Sequence, residues 1–200
     1  MATYNGEEFI QEQLTSIYAQ KIEKKCELKL YISDDGSTDS TLRIIKSFQD
    51  ACGEKLCIEV ITGARRGSTQ NFLSLIYNKS IQADYYAFAD QDDVWCEDKL
   101  CRAINHLDKY AKDVAGVYGS RLYLTDKNRK RIGISPLYTR PIGFKNALVK
   151  SVLSGNTMVI NQAARQLLLK ANASEVAIHD WWIYLLISGA GGYVFYDPRP

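Results

Sequence analysis

Between Glu7 and Gln20 the apolar positions Phe9, Ile10, Leu14, Ile17 and Tyr18 recur at spacings of three and four, which predicts a helix with one apolar face. Residues 28–33, LKLYIS, then read as a short strand of β-branched and aromatic character. That strand runs into DDGSTDS at 34–40, a turn of glycine and small polar residues that also supplies N-cap candidates for a helix carrying Leu42, Ile45 and Phe48. The alternation continues with a strand at 56–61, a basic, glycine-punctuated loop at 63–68, a helix over 71–81 through Phe72, Leu75 and Ile76, and a strand at 85–89. Beyond an acidic turn, Leu100, Ile104 and Leu107 mark another helix, and 114–124 is extended. Strands alternating with helices predict an α/β domain with a largely parallel sheet, its right-handed crossovers placing helices on both faces.

Past residue 125 the pattern is sparser. A hairpin turn is expected at 126–131, a loop bracketed by Pro136 and Pro141, a strand at 157–160 and a helix at 163–171. HDWWIYLLISGAGGYVFYD, 179–197, reads as an aromatic helix, a pair of glycines and a last strand. No internal repeat or low-complexity segment appears. Only Met1 and Ala2 stand where a first strand should precede the polar turn that follows, and the chain stops at Asp197-Pro198-Arg199-Pro200, directly after a strand. Truncation at both ends is therefore expected.

Composition narrows the picture. Two hundred residues, 46% hydrophobic and 24% charged, fit one globular domain that buries roughly 70% of its unfolded surface. No run approaches the roughly 18 to 20 apolar residues of a spanning helix, and the N-terminus lacks the segments of a signal peptide, so a soluble, cytoplasmic chain is expected. A net charge of +2 gives no reason to expect a nucleic-acid partner. Lys127, Arg129, Lys130 and Arg131 form a local basic run that reads either as a solvated hairpin turn or as a contact with anionic lipid headgroups at the inner face of the membrane. Five cysteines without a C-x-x-C pair suit reduced thiols better than disulfides or zinc.

In open α/β sheets, ligands sit outside the carboxyl ends of the strands, which is where two acid clusters fall. One is Asp34 and Asp35. The other lies in YAFADQDDVW, 86–95, where Asp90, Asp92 and Asp93 crowd the mouth of an apolar strand. Carboxylates spaced D-x-D can share a hard divalent cation that also binds substrate phosphates. The missing positive charge would then be Mg²⁺ or Mn²⁺ holding a diphosphate. Acids at strand ends are also common as solvated groups, so the spacing alone does not decide.

The ordered set ATYNGEEFI, ISDDGSTDST, YAFADQDDVW and HDWW resembles the family-two inverting glycosyltransferases with the GT-A fold, and most closely their bacterial rhamnosyltransferase branch of cell-wall and capsular polysaccharide synthesis. The likeness covers nearly the whole chain. It implies a Rossmann-like three-layer α/β/α sandwich with a mostly parallel central sheet, organised as a single domain over 1–200, with a nucleotide-sugar-binding half at 1–125 and an acceptor-binding half at 126–200. It further implies a metal-dependent transfer, with inversion, from a nucleotide sugar to a lipid-linked saccharide. The donor it points to is dTDP-L-rhamnose or a UDP-sugar.

The same resemblance implies roles for individual residues. Thr3, Tyr4, Asn5 and Glu7 match the stretch that lines the nucleotide pocket, Asp34 the acid that accepts from the pyrimidine N–H, with Asp35 and Asn71 beside it. Asp92 matches the metal-binding acid, with Asp90 its partner on the ribose or metal water, and Asp93 behind them. Asp180 matches the catalytic base, although D-W-W-I-Y-L-L also reads as a helix start with Asp180 as N-cap. Gly155, Asn156, Thr157, His179 and Trp181 fall where the family meets its acceptor. Trp95 is either a sugar-stacking ring or a core anchor.

Two departures stand out. Gln70 occupies the place of an arginine that many relatives carry before Asn71, leaving Arg65 or Arg66 to substitute, and the Q-x-x-R-W motif of processive relatives is absent. Competing readings are a sugar-phosphate nucleotidyltransferase, which would carry a Gly-rich basic loop where this chain has TYNGEEF, and a non-catalytic saccharide-binding module on the same fold.

Overall fold

The structure is a computed structural model that describes residues 1–23, 26–126, 128–173 and 175–200, with the backbone alone at Glu54. Lys127 of the basic run lies outside the described residues. The chain divides into two compact units: Met1–Gln82 with Phe88–Ile104, and Ala83–Ala87 with Asn105–Pro200.

The first unit holds a three-stranded parallel sheet of order β1-β2-β3, formed by β1 (Ala2–Thr3), β2 (Lys29–Asp34) and β3 (Cys57–Thr62). The register sets Thr3 opposite Asp34 and Asp34 opposite Thr62, so the carboxyl ends of all three strands finish together. Helices α1 (Ile10–Tyr18), α2 (Thr41–Cys52) and α3 (Ser68–Tyr77) connect or follow them. Ile10, Leu14 and Ile17 of α1 are completely or almost completely buried, each burial contributing about 1.5–3 kcal/mol. The helix is shorter than the apolar spacing predicts. Phe9 and Ile10 both donate to the Gly6 carbonyl, so residues 7–9 form a turn and the helix starts at Ile10. Likewise α3 begins three residues earlier than expected, after Gly67 in the left-handed region (φ 85°), and ends at Tyr77 because Asn78 turns extended.

The second unit holds a four-stranded mixed sheet of order β4-β8-β5-β9, made by β4 (Tyr85–Ala87), β5 (Gly116–Ser120), β8 (Val159–Asn161) and β9 (Tyr193–Asp197). Strand β8 runs antiparallel to both neighbours, while β5 and β9 pair in parallel. The α/β GT-A architecture expected from sequence is present, with the parallel character concentrated in the first sheet. Helix α4 (Lys99–Tyr110) starts in the first unit and ends in the second; β6 (Tyr123–Thr125) and β7 (Arg131–Ile134) make an antiparallel hairpin; α5 (Phe144–Ala147), α6 (Gln162–Ala171) and α7 (His179–Gly189) complete the set. The strand expected at 157–160 is divided: Gly155–Thr157 is a 3₁₀ turn, and β8 starts only at Val159. Asn161 explains the next boundary, since its side-chain oxygen accepts from Ala164 N–H and caps α6. Its amide nitrogen donates to the Ala111 and Val114 carbonyls, tying the start of β5 to the same residue. No described helix is long and apolar enough to cross a membrane.

Candidate active site

A cleft of about 980 Å³ opens at the carboxyl ends of β1, β2 and β3. Thr3, Tyr4, Asp34, Asp35, Asn71, Asp90 and Asp92, residues nearly ninety positions apart, line it together. Its acids divide into two kinds. Asp34 is buried and saturated: Oδ1 accepts from Thr3 Oγ1 (3.0 Å) and Ser37 Oγ (2.6 Å), and Oδ2 from the backbone N–H groups of Gly36 (3.1 Å) and Ser37 (2.9 Å). Asp35 pins the basic loop by accepting from Arg65 N–H (2.6 Å) and Gly67 N–H (2.9 Å). At Gly63, which opens that loop, a side chain would come 2.8 Å from the Asp34 carbonyl and 2.7 Å from Asn71 Oδ1, so only glycine lets the three segments meet. Asp92, in contrast, is exposed, and among the described residues nothing hydrogen-bonds its carboxylate.

The turn that presents Asp90 and Asp92 is held from behind. Gln13, Ser16 and Gln20 are buried polar residues at helical spacing on and just past α1, and each binds the segment 90–100. Gln13 Nε2 donates to the Asp90 carbonyl (3.0 Å), Ser16 Oγ accepts from Trp95 N–H (3.0 Å), and Gln20 donates to the Cys96 carbonyl (2.8 Å) while accepting from Leu100 N–H (3.1 Å). Trp95 is therefore a core anchor. Its ring is buried, and the Lys99 ammonium sits 3.7 Å from the ring centroid. Burial lowers the Lys99 pKa to about 7, against the opposing attraction of Asp93 and Asp90. Half-buried Asp93 thus lies behind the turn with this cation.

Tyr4 stands at the cleft with 58% of its surface exposed, and its backbone is clamped on both sides by Gln91, which accepts from Tyr4 N–H (2.9 Å) and donates to Tyr4 C=O (3.0 Å). Asn5 and Glu7 do not line the cleft. Asn5, at φ 46°, accepts from Thr38 N–H, and Glu7 accepts from Ser40 N–H, so both lash the first turn to the 37–41 loop. Asn71 lines the cleft, but both ends of its amide engage Ser33: Nδ2 donates to the Ser33 carbonyl and Oδ1 accepts from the Ser33 hydroxyl. Arg65 is a lining residue and Arg66 is not.

In the second unit, Asp180 lies in the first turn of α7, where Ile178 and not Asp180 is the N-cap. Its carboxylate is bound on both oxygens, Oδ1 accepting from Trp181 N–H (2.6 Å) and Oδ2 from Gly155 N–H (2.9 Å). An acid here is also favoured by the helix dipole. Gly155 sits so tightly that a side chain would meet His179 Nε2 at 3.0 Å and Asp180 Cβ at 3.2 Å. Thr157 is buried, its hydroxyl on the Ser154 carbonyl, and Asn156 Oδ1 accepts from Ser154 Oγ. His179 is buried, which holds its imidazole below the ordinary value while the neighbouring Asp180 charge pulls the other way. Trp181 donates its indole N–H to the Ala147 carbonyl (2.6 Å), securing α5.

Sequence reasoning missed Gln13, Ser16, Gln20, Gln91 and Ser37. The spacing of the first three was readable, but a polar stripe on a helix is expected to face water, and only the fold turns it inward.

A family model described as glycosyl transferase family 2 matches residues 1–168. The chain belongs to glycosyl transferase family 2. It is 32% identical over its full length to the dTDP-rhamnosyl transferase RfbG of Shigella flexneri, and covers 69% of that protein. Among solved structures, it resembles the mannosyltransferase PcManGT from Pyrobaculum calidifontis in complex with GDP-Man and Mn²⁺, with a TM-score of 0.71 at 19% identity over 98% of this chain and 53% of that one. The Staphylococcus aureus TarS 1–349 fragment in complex with UDP-GlcNAc superposes with a TM-score of 0.68 at 22% identity, over 100% of this chain and 57% of the fragment. These likenesses establish the GT-A fold for this family-2 chain, which spans little more than half of either crystallised protein.

Proposed function

We propose that this family-2 chain transfers a sugar, with inversion, from a nucleoside diphosphate carrier to a saccharide hydroxyl in bacterial surface polysaccharide synthesis. The observation that carries the reading is the convergence of Thr3, Tyr4, Asp34, Asp35, Asp90 and Asp92 on one cleft at the strand ends. The exposed Tyr4 is our candidate to stack on a base, and Arg65, lining the same cleft, is our candidate for the cationic diphosphate contact that the neutral Gln70 does not supply. The identity with RfbG favours dTDP-L-rhamnose as donor. Residues 1–125 would serve the donor and 126–200 the acceptor, a lipid-linked saccharide handled on the cytoplasmic side.

The donor set suits a hard divalent ion. Among the described residues no cluster of three or more His, Cys, Asp or Glu side chains is assembled, while Asp92 offers a carboxylate that no hydrogen bond engages, beside Asp90. Mg²⁺ and Mn²⁺ sites of this kind use one or two carboxylates and complete their shell with substrate phosphate oxygens and water. When bound, the ion would offset charge on the departing diphosphate. The protein's own part is to hold Asp90 and Asp92 on the Gln13–Ser16–Gln20 stripe, to seat the base beside Tyr4, and to take the proton of the acceptor hydroxyl. For that last role we assign Asp180. Both its oxygens accept one N–H bond and retain a lone pair, so the carboxylate is oriented and still able to accept a proton. The acceptor oxygen forms its bond to the anomeric carbon as the bond to the diphosphate breaks, and the hydroxyl proton passes to Asp180.

Release of dTDP from dTDP-L-rhamnose in the presence of Mn²⁺ and a saccharide acceptor tests the reading. The Asp180→Asn protein should bind the donor as wild type does and fail to transfer. Retained turnover removes Asp180 as the base, and no release by wild type with any nucleotide sugar favours a binding module.

A further inference from the structure

The charges of this chain are unevenly placed. Residues 121–150 carry eight Lys or Arg against the single Asp126, a net +7, so with +2 for the whole chain the other 170 residues carry −5. Apolar side chains are uneven in the same way: eight of the sixteen exposed large hydrophobic residues among those described fall in this 30-residue segment. Val149 is 79% exposed, Ile132 66% and Leu148 59%, and Leu124 and Leu137 are nearly half exposed. Cations alternate with them. Arg129, Lys130 and Arg131 are exposed around the β6–β7 turn, and Arg140, Lys145 and Lys150 around α5.

Two ring contacts show how these pieces are arranged. The Arg131 guanidinium lies 3.7 Å from the Tyr123 ring centroid across the hairpin, and Lys150 lies 5.0 Å from the Tyr138 centroid, which brings the end of α5 beside the chain leaving β7. Tyr196 donates to the Pro136 carbonyl and ties that chain to β9. The charged heads of Arg131 and Lys150 thus sit against aromatic rings while both residues remain exposed, next to bare aliphatic tips.

We propose that the β6–β7 hairpin and the exposed end of α5 form a surface that docks on a bilayer rich in anionic phospholipid. Interleaved cations and aliphatic tips match what an interface offers, a negative headgroup layer above an apolar one. A two-fold contact with a second copy through the same surface would set +7 against +7 and be repelled. The surface shares no residue with the donor cleft.

Co-sedimentation with vesicles decides the matter. The chain should bind vesicles of phosphatidylglycerol and phosphatidylcholine, release as salt is raised, and ignore pure phosphatidylcholine. Each lost cation should weaken partitioning about five-fold, so Lys145→Glu with Lys150→Glu should weaken it at least about 25-fold, and Val149→Ser, which removes apolar surface and adds no charge, should weaken binding without changing its salt dependence. All are exposed positions, and an unchanged melting temperature checks that the variants fold. Asp92→Ala should bind vesicles as wild type does, which separates this surface from the donor site. The proposal is overturned by equal binding to neutral and anionic vesicles, by no binding to either, or by wild-type binding of the double variant. A lipid-free dimer that Val149→Ser dissolves would give the surface to a second copy instead.

Discussion

The two acidic turns of the first unit are built from the same residue type and behave as opposites. At 34–37, four donors surround the Asp34 carboxylate and two more fix Asp35, so these acids are part of the frame. At Asp92 the opposite holds: Gln13 secures the turn through the Asp90 carbonyl, and the side chain of Asp92 is left to the cleft. A carboxylate whose bonds are internal shapes a site, and one whose bonds are withheld is available to a ligand. Asp180 stands between these cases, oriented by two N–H groups with a lone pair left on each oxygen.

Substitutions should separate the three. The largest effect falls on turnover: Asp180→Asn should lower the transfer rate at least about 10²-fold with folding and donor binding retained, as single-turnover assays and calorimetry would read. Next, Asp92→Ala should weaken Mn²⁺-dependent nucleotide binding about 10- to 100-fold, the worth of a charge-assisted contact, while its melting temperature stays within about 1 °C of wild type. Asp34→Ala reverses that pattern. It strands the Thr3 and Ser37 hydroxyls and two backbone N–H groups, and should cost about 2–4 kcal/mol in a urea titration. If Asp34→Ala proved as stable as wild type, or Asp92→Ala strongly destabilised, the division between frame and ligand acids would fail.

Gln13→Leu tests how the exposed acid is aimed. It removes the donor to the Asp90 carbonyl and the acceptor for the Ser16 hydroxyl, which should cost about 1–3 kcal/mol and also weaken metal-dependent nucleotide binding. A variant that loses stability but keeps that affinity would make the stripe merely structural.

How much of this was legible beforehand follows from what periodicity encodes. The alternation of elements, the strand-end acids and the order of the four motifs were all readable, because each depends on neighbours close in sequence. Boundaries moved where one residue overrides the pattern, as when Gly6 accepts two N–H bonds and delays α1, or Asn161 fixes the start of α6. Asn71, expected beside the nucleotide, engages Ser33 with both ends of its amide, and Trp95 could not be resolved from spacing, since an aromatic reads the same whether it faces a ligand or the core. The inward turn of Gln13, Ser16 and Gln20 was hidden for the same reason.

The smallest expected effect concerns pH. Burial holds the His179 imidazole below its ordinary 6.5, so between that value and the lowered one the unfolded chain binds the proton and the folded chain does not. Its contribution to stability is complete above pH 6.5 and declines as the pH falls. Melting temperatures at pH 7.5 and 5.5 should drop further for wild type than for His179→Gln; equal drops would mean that His179 is not what couples folding to pH here.

The central claim is that Asp92 is kept out of the protein's own hydrogen bonding in order to hold a metal-bound diphosphate. Calorimetric titration of dTDP into the chain, with Mn²⁺ and then with excess EDTA, tests it most directly. Binding that needs Mn²⁺ in wild type and is lost in Asp92→Ala is the predicted result; equal affinity in both proteins, with or without the metal, would contradict it.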